Sequence, residues 1–151
     1  MLSLIFQMKI FFIDIFLPKS KPFTLGFFYW PPYQYNFLNL LEDDFKKLNS
    51  ESKELHILGD ININTLIDDN RSIFEIRKNT PLRNSLPTLC KQYIEFCSSF
   101  SLKQLISSPT RITCSSSTII DHILTNTTNN ISQSGVIDLG ISDHNVIFFT
   151  R

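Results

Sequence analysis

Three short stretches carry acids or histidines at the ends of apolar runs: Gly59-Asp60-Ile61-Asn62, Ile119-Ile120-Asp121-His122-Ile123-Leu124 and Ser142-Asp143-His144-Asn145. Asp and Asn are poor strand residues. A charge inside the apolar run around Asp121 is costly unless an opposite charge or a hydrogen bond meets it. His144 is the natural partner, because a carboxylate that fixes an imidazole's tautomer is a recurring catalytic device. Asp143 then remains as an oxygen ligand for a hard cation such as Mg²⁺. Each acid alone has an ordinary structural reading: Asp60 as a turn residue after Gly59, Asp143 as a turn or cap acid. His56 reads as a strand-surface residue and His122 as a packed one. Taken together, acids at strand ends in one neutral domain point to metal-assisted phosphodiester chemistry.

The elements that must position these residues follow from periodicity and breakers. Met1 to Leu17 is rich in Leu, Ile and Phe, but it carries Gln7, Lys9 and Asp14 and stops at Pro18. A membrane span needs about 20 apolar residues, and a signal peptide needs a basic start and an unbroken apolar stretch. The run is read as a core strand from Met8 to Phe16, paired through a Pro18–Pro22 turn with a second strand, Phe23 to Trp30. A domain that opens directly in a core strand is expected to have lost something upstream. Phe37, Leu41, Phe45 and Leu48 recur at helical spacing, which predicts a helix over Tyr35 to Asn49 with those residues facing the core. Glu42 and Asp43, four residues before Lys46 and Lys47, support it.

Leu55 to Leu58 reads as a short strand, followed by a long polar loop to Leu86. Pro87 opens a helix with Leu89, Tyr93, Phe96 and Phe100 as its apolar stripe and Cys90 and Cys97 beside it. Strands are expected at Gln104–Ile106, Thr118–Thr125, Gln133–Ile137 and Asn145–Thr150, with a Ser/Thr loop after Arg111 and a turn over Asp138–Ser142.

Composition limits the class. The 151 residues fit one domain, and 42% hydrophobic with 19% charged residues excludes a disordered tail or a coiled-coil polymer. With 14 Phe, 4 Gly and no alanine, the core must be built from large side chains. The 3 Cys include no C-x-x-C pair, which fits reduced thiols in a nuclear or cytoplasmic protein rather than a disulfide framework or zinc site. Lys+Arg and Asp+Glu both number 14, so the net charge is zero and the basic footprint of a nucleic-acid binder is missing. Acids gathered to hold a metal use up negative charge locally, so neutrality leaves room for a phosphate substrate but implies weak DNA affinity.

The ordered motifs Tyr29-Trp30-Pro31-Pro32, Leu58-Gly59-Asp60-Ile61-Asn62, Pro109-Thr110-Arg111, Ile120-Asp121-His122-Ile123 and Ser142-Asp143-His144-Asn145 resemble those of the endonuclease/exonuclease/phosphatase superfamily. The chain is most similar to the apurinic-type endonuclease domain of non-LTR retrotransposons, whose usual forms are Y-R-P-P, G-D-F-N, P-T-R, I-D-x-I and S-D-H. The match runs from about Met8 to the last residue.

The resemblance implies an α/β fold, a two-layer β-sandwich with flanking helices in four layers (α-β-β-α), incomplete at the amino terminus, with all 151 residues in one partial domain. It implies a Mg²⁺- or Mn²⁺-dependent endonuclease that nicks DNA. Asp60 would orient or deprotonate the attacking water, and Asn62 would hold the attacking group or the phosphate. His144, oriented by Asp121, would stabilise phosphoryl charge or act as an acid. Asp143 would bind the metal, Tyr29 would contact the phosphate, and Arg111 and Asn145 would bind substrate. DNA and the reverse transcriptase domain of a parent element are the implied partners of a monomeric, non-membrane protein. Trp30 stands where the family has Arg, and Ile61 where it has Phe. The family's upstream Asn and metal-binding Glu have no counterpart here, which implies weak Mg²⁺ binding and impaired activity. The alternatives are an inactive remnant module and a phosphatase of the same superfamily.

Overall fold

The computed structural model describes residues 9–31, 37–48, 53–68, 71–75 and 86–151. Its centre is a five-stranded mixed sheet. Strand β1 (Lys9–Ile15) pairs antiparallel with β2 (Phe23–Tyr29), and β2 runs parallel to β3 (Glu54–Asp60). Helix α1 (Phe37–Leu48) lies on the β2–β3 crossover, as a parallel pair requires. Two short strands and a turn follow β3: β4 (Leu66–Asp68), β5 (Arg71–Ser72) and a 3₁₀ turn at Ile73–Glu75. Helix α2 (Thr88–Ser99) leads to β6 (Lys103–Gln104), the hairpin β7 (Arg111–Ile112) and β8 (Ser117–Thr118), then β9 (Asp121–Thr125). Strand β9 is antiparallel to both β3 and β6, giving the order β1-β2-β3-β9-β6. The chain closes with the hairpin β10 (Gln133–Ile137) and β11 (Val146–Thr150).

Alternation along the strands sorts side chains onto two cores. Phe28, Leu55, Ile57 and Leu124 face α1 and α2, where Leu41, Phe45, Tyr93 and Phe96 meet them. Leu58 and Ile123 face the other way, against Val136, Ile147 and Phe149 of the β10–β11 hairpin. The result is a helix layer, the five-stranded sheet and a second small sheet, the α/β sandwich expected from sequence. Among the described residues both helices lie on one face. Phe45 is the centre of the helix-side core: its ring meets Phe12, Phe96 and Phe100 at 5.0–6.0 Å between centroids. With no alanine to fill gaps, aromatic edges interdigitate instead.

The details depart from the periodicity in several places. The loop after β3 is not structureless, since it contains β4 and β5. The expected strand at Thr118–Thr125 is split: Thr118 belongs to the β7–β8 hairpin, residues 119–120 lie in no strand, and β9 begins at Asp121. The segment read as a loop after Arg111 folds back as that hairpin. The expected helix ends at 35, 36 and 49, and the strand start at Met8, lie outside the described residues. His56, read as a surface residue, is fully buried. It packs between Phe23 and Phe149, with ring centroids at 5.6 and 4.9 Å, because the β10–β11 hairpin covers a strand face that alternation alone leaves open.

Among the described residues no helix is long and apolar enough to cross a membrane.

Candidate active site

The carboxyl end of β3 and the start of β9 meet at one rim of the central sheet. Asp60 ends β3 and Asp121 opens β9, and the register sets them directly opposite one another. Gly59 permits the close pairing of β3 with β2 just before Asp60, because a Cβ there would stand 1.8 Å from the carbonyl oxygen of Phe28. After Asp60 the chain turns sharply at Asn62, whose φ of 49° is in the left-handed region that Asn tolerates. The Asn62 N–H donates to Asp60 Oδ1 at 2.9 Å, and its Nδ2 donates to the Trp30 carbonyl at 2.8 Å. Burial raises the Asp60 carboxyl above the ordinary aspartate range, with the Asn62 N–H opposing and the nearby Asp121 charge reinforcing the shift.

His144 arrives from the loop before β11. Its Nδ1 lies 3.2 and 3.1 Å from the two oxygens of Asp121, the pairing that the lone charge in the apolar run required. A ladder bridge between Arg111 and His144 joins this loop to the β7–β8 hairpin. Asp60, Asp121 and His144 thus each offer an atom to one small volume, the atoms lying within 4.8 Å of one another. Two carboxylates and an imidazole are a donor set able to hold a metal ion.

Asp143 stands apart from that trio. Expected as an oxygen ligand for a metal, it accepts at Oδ2 from Arg111 Nε at 2.8 Å and at Oδ1 from Ser142 Oγ at 3.4 Å. The Arg111 guanidinium holds its carboxyl below the usual carboxylate range. Arg111, read as a substrate contact, is engaged by the same bond. Asn145 donates from Nδ2 to the Pro109 carbonyl at 3.4 Å and from its backbone to the Thr110 carbonyl at 2.7 Å. Tyr29 is exposed and lines a cavity of about 450 Å³ with Phe11, Phe27, Leu58, Ile147 and Asp121. Trp30, the departure from the family's Arg, is buried at 2% exposure and belongs to the helix-side core. A larger cleft of about 630 Å³ lies at the opposite end of β3, against Lys53, Glu54 and Asn126, remote from these residues.

Thr110 has no role in the sequence reading, although it stands within Pro109-Thr110-Arg111. Its buried Oγ1 accepts from the backbone N–H groups of Ile120 and Asp121, at 3.1 and 3.0 Å. Those donors fall where the chain leaves sheet pairing, so the hydroxyl replaces a ladder partner. The only signal for it in the sequence is its place in that motif.

The fold is shared with solved structures. The chain superposes on the endonuclease domain of TRAS1, a telomere-specific non-LTR retrotransposon, with a TM-score of 0.68 at 18% identity, covering 93% of this chain and 62% of that one. An endonuclease/exonuclease/phosphatase family protein from Leptotrichia buccalis C-1013-b gives 0.57 at 14% identity, covering 94% of this chain and 54% of the other. The catalytic domain of Xenopus laevis APE2 gives 0.55 at 17% identity, with coverage of 93% and 54%. The chain therefore spans between half and two thirds of the length of these structures. No curated protein matches it by sequence. Residues 23–148 match the Endonuclease-reverse transcriptase family, and the chain belongs to that family, within the endonuclease/exonuclease/phosphatase superfamily.

Proposed function

We propose that this chain carries the catalytic rim of a metal-dependent, retroelement-type endonuclease that hydrolyses a DNA phosphodiester bond. The observation that supports this reading best is the convergence of Asp60, Asp121 and His144 in a chain of this family. Asp60 and Asp121 would offer carboxylate oxygens to a Mg²⁺ or Mn²⁺ ion, with His144 beside it rather than bound to it. When bound, that ion supplies Lewis-acid neutralisation of phosphoryl charge.

The side chains account for the remaining work. Asp60, with a raised pKa and one oxygen held by the Asn62 N–H, is suited to orient a water and take its proton. Asp121 fixes the Nδ1–H form of His144 and leaves Nε2 to face the phosphoryl group. In its protonated form His144 would donate to a developing oxyanion there. Tyr29 stands on the adjoining cavity wall as a phosphate contact. Asn62 is committed through its side chain to Trp30, so in this reading it shapes the turn that presents Asp60. The Arg111–Asp143 bond takes one N–H and one carboxylate oxygen, so Asp143 Oδ1 would remain for a metal and the other Arg111 donors for a phosphate. A DNA substrate, and a reverse transcriptase domain of the same element as partner, follow from the family's description and from the retrotransposon domain that shares the fold.

The test is nicking of supercoiled plasmid with Mg²⁺ by the chain and by His144→Ala. Nicking by the chain that falls roughly 10²- to 10⁴-fold in the variant supports the reading, whereas equal background cleavage by both rejects it. A second reading, a folded module that binds nucleic acid without turnover, is favoured by the Arg111–Asp143 bond, which engages one oxygen of a carboxylate expected to bind metal. Metal-independent retention of plasmid by the chain, without nicking, would select it.

A further inference from the structure

Beneath the rim, on the helix side of the sheet, lies a polar chain that the proposed chemistry does not use. The Tyr93 hydroxyl of α2 is 2.9 Å from His122 Nδ1. His122 Nε2 is 3.3 Å from Thr65 Oγ1 and 3.4 Å from the Ile119 carbonyl oxygen. Tyr93, His122 and Thr65 are all 0% exposed. The ring is fully buried and its hydrogen-bond partners are two hydroxyls and a carbonyl, none of them a carboxylate, so it is neutral. A neutral imidazole has one donor and one acceptor nitrogen. The Ile119 carbonyl can only accept, so Nε2–H donates toward it and Nδ1 accepts the Tyr93 O–H.

Ile119 is where this arrangement bears on the site. Its carbonyl also receives the Thr65 N–H at 3.0 Å and the Thr65 hydroxyl at 3.2 Å, while its own N–H goes to Asn64 Oδ1 at 3.1 Å. The neighbouring Ile120 carbonyl receives the Ile61 N–H at 2.9 Å. Residues 61–65 follow Asp60 directly, and residues 119–120 deliver Asp121. Neither segment belongs to a strand, so these two isolated backbone bonds, together with the side chains, set their register. We propose that Tyr93, His122 and Thr65 form a positioning relay that fixes the Asp121 segment against the Asp60 loop, and thereby the aim of Asp121 at His144. They are positioning residues: their polar contacts are to backbone, to each other and, from Tyr93, to the Cys97 thiol. The effect on activity rests on the nuclease reading, whereas the effect on geometry does not.

The decisive variant is Tyr93→Phe, which removes one oxygen and keeps the ring that packs on Phe74 and His122. Long-range ¹H–¹⁵N spectra of the full chain at alkaline pH report the tautomers of His122 and His144. The expected result is loss of the single Nε2–H form at His122 and a mixed tautomer at His144, where the parent holds Nδ1–H. If the parent nicks plasmid, kcat falls roughly tenfold with KM little changed, the pattern of a displaced catalytic group. Thr65→Ser, which retains the hydroxyl, is expected to match the parent, and Thr65→Val to match Tyr93→Phe. A folded Tyr93→Phe with a lowered Tm but unchanged His144 tautomer and kcat overturns the relay. Should Tyr93→Phe not fold, the Thr65 pair decides: a difference between Ser and Val at His144 supports the relay, and identical spectra overturn it. A parent chain that fails to nick removes the nuclease reading, while the tautomer comparison still decides the relay.

Discussion

Asp60 and Asp121 face one another directly across the β3–β9 ladder, two carboxylates at a position where like charges are destabilising. The fold sustains the pair because His144 engages Asp121 and the Asn62 N–H holds Asp60. Burial foremost, and the Asp121 charge after it, raise the Asp60 pKa. A carboxyl whose folded pKa lies above its unfolded value binds more protons when folded, so it lowers stability as pH rises through that folded pKa. Asp60→Asn is therefore expected to raise stability near neutral pH by roughly 0.2–1 kcal/mol, the scale of a cross-strand pair, and to flatten stability against pH above the ordinary aspartate range. Urea titrations at several pH values measure this. Nicking should fall with the same substitution, so the residue trades stability for function.

Thr110 gives a prediction about how Asp121 is held. Thr110→Val keeps the shape but leaves the Ile120 and Asp121 N–H groups without their acceptor. The expected loss is roughly 1–3 kcal/mol, the cost of an unmet buried polar group. Thr110→Ser should recover most of it. Amide exchange at Asp121, fast in the Val variant and slow in the parent and the Ser variant, separates a local effect from a general loss of stability.

Glu54 anchors the opposite end of β3. Arg151 donates to it at 2.7 and 2.9 Å, Asn130 at 2.9 Å and His56 at 3.0 Å. The Arg151 bond foremost lowers its pKa to about 2, against the opposing effect of burial. A depressed carboxyl stabilises the fold above its unfolded pKa, near 4.5, and that stability drains as pH falls toward about 2. Glu54→Gln should lose roughly 2–3 kcal/mol at neutral pH, which is roughly 4–12 °C in Tm for a domain of this size. The variant should also lose the parent's steep acid limb, which thermal melts from pH 2 to 7 would reveal.

Phe45 tests the helix-side core. At 1% exposure and ringed by Phe12, Phe96 and Phe100, it leaves a void that rigid aromatic neighbours cannot collapse into. Phe45→Ala is expected to cost roughly 3–5 kcal/mol in urea unfolding, while Phe45→Leu should cost distinctly less.

The α/β class came from the resemblance of the ordered motifs; the residues by themselves determined the helix stripes at Leu41/Phe45 and Tyr93/Phe96, the paired strands at both ends, and the polar residues at strand ends. Those features follow from local rules: helical spacing, alternation, and the poor fit of Asp and Asn inside strands. The need of Asp121 for a partner was also legible, since a charge in an apolar run is costly wherever it lies. Only the tertiary structure decided what each polar group spends its hydrogen bonds on. Arg111 pairs with Asp143, Asn62 turns inward to Trp30, and Thr110 receives Asp121, because residues 11 to 32 positions apart in the chain come within about 3 Å. His56 was misread for the same reason. Alternation tells which side of a strand a residue occupies, but only the packing of the β10–β11 hairpin decides that this side is dry.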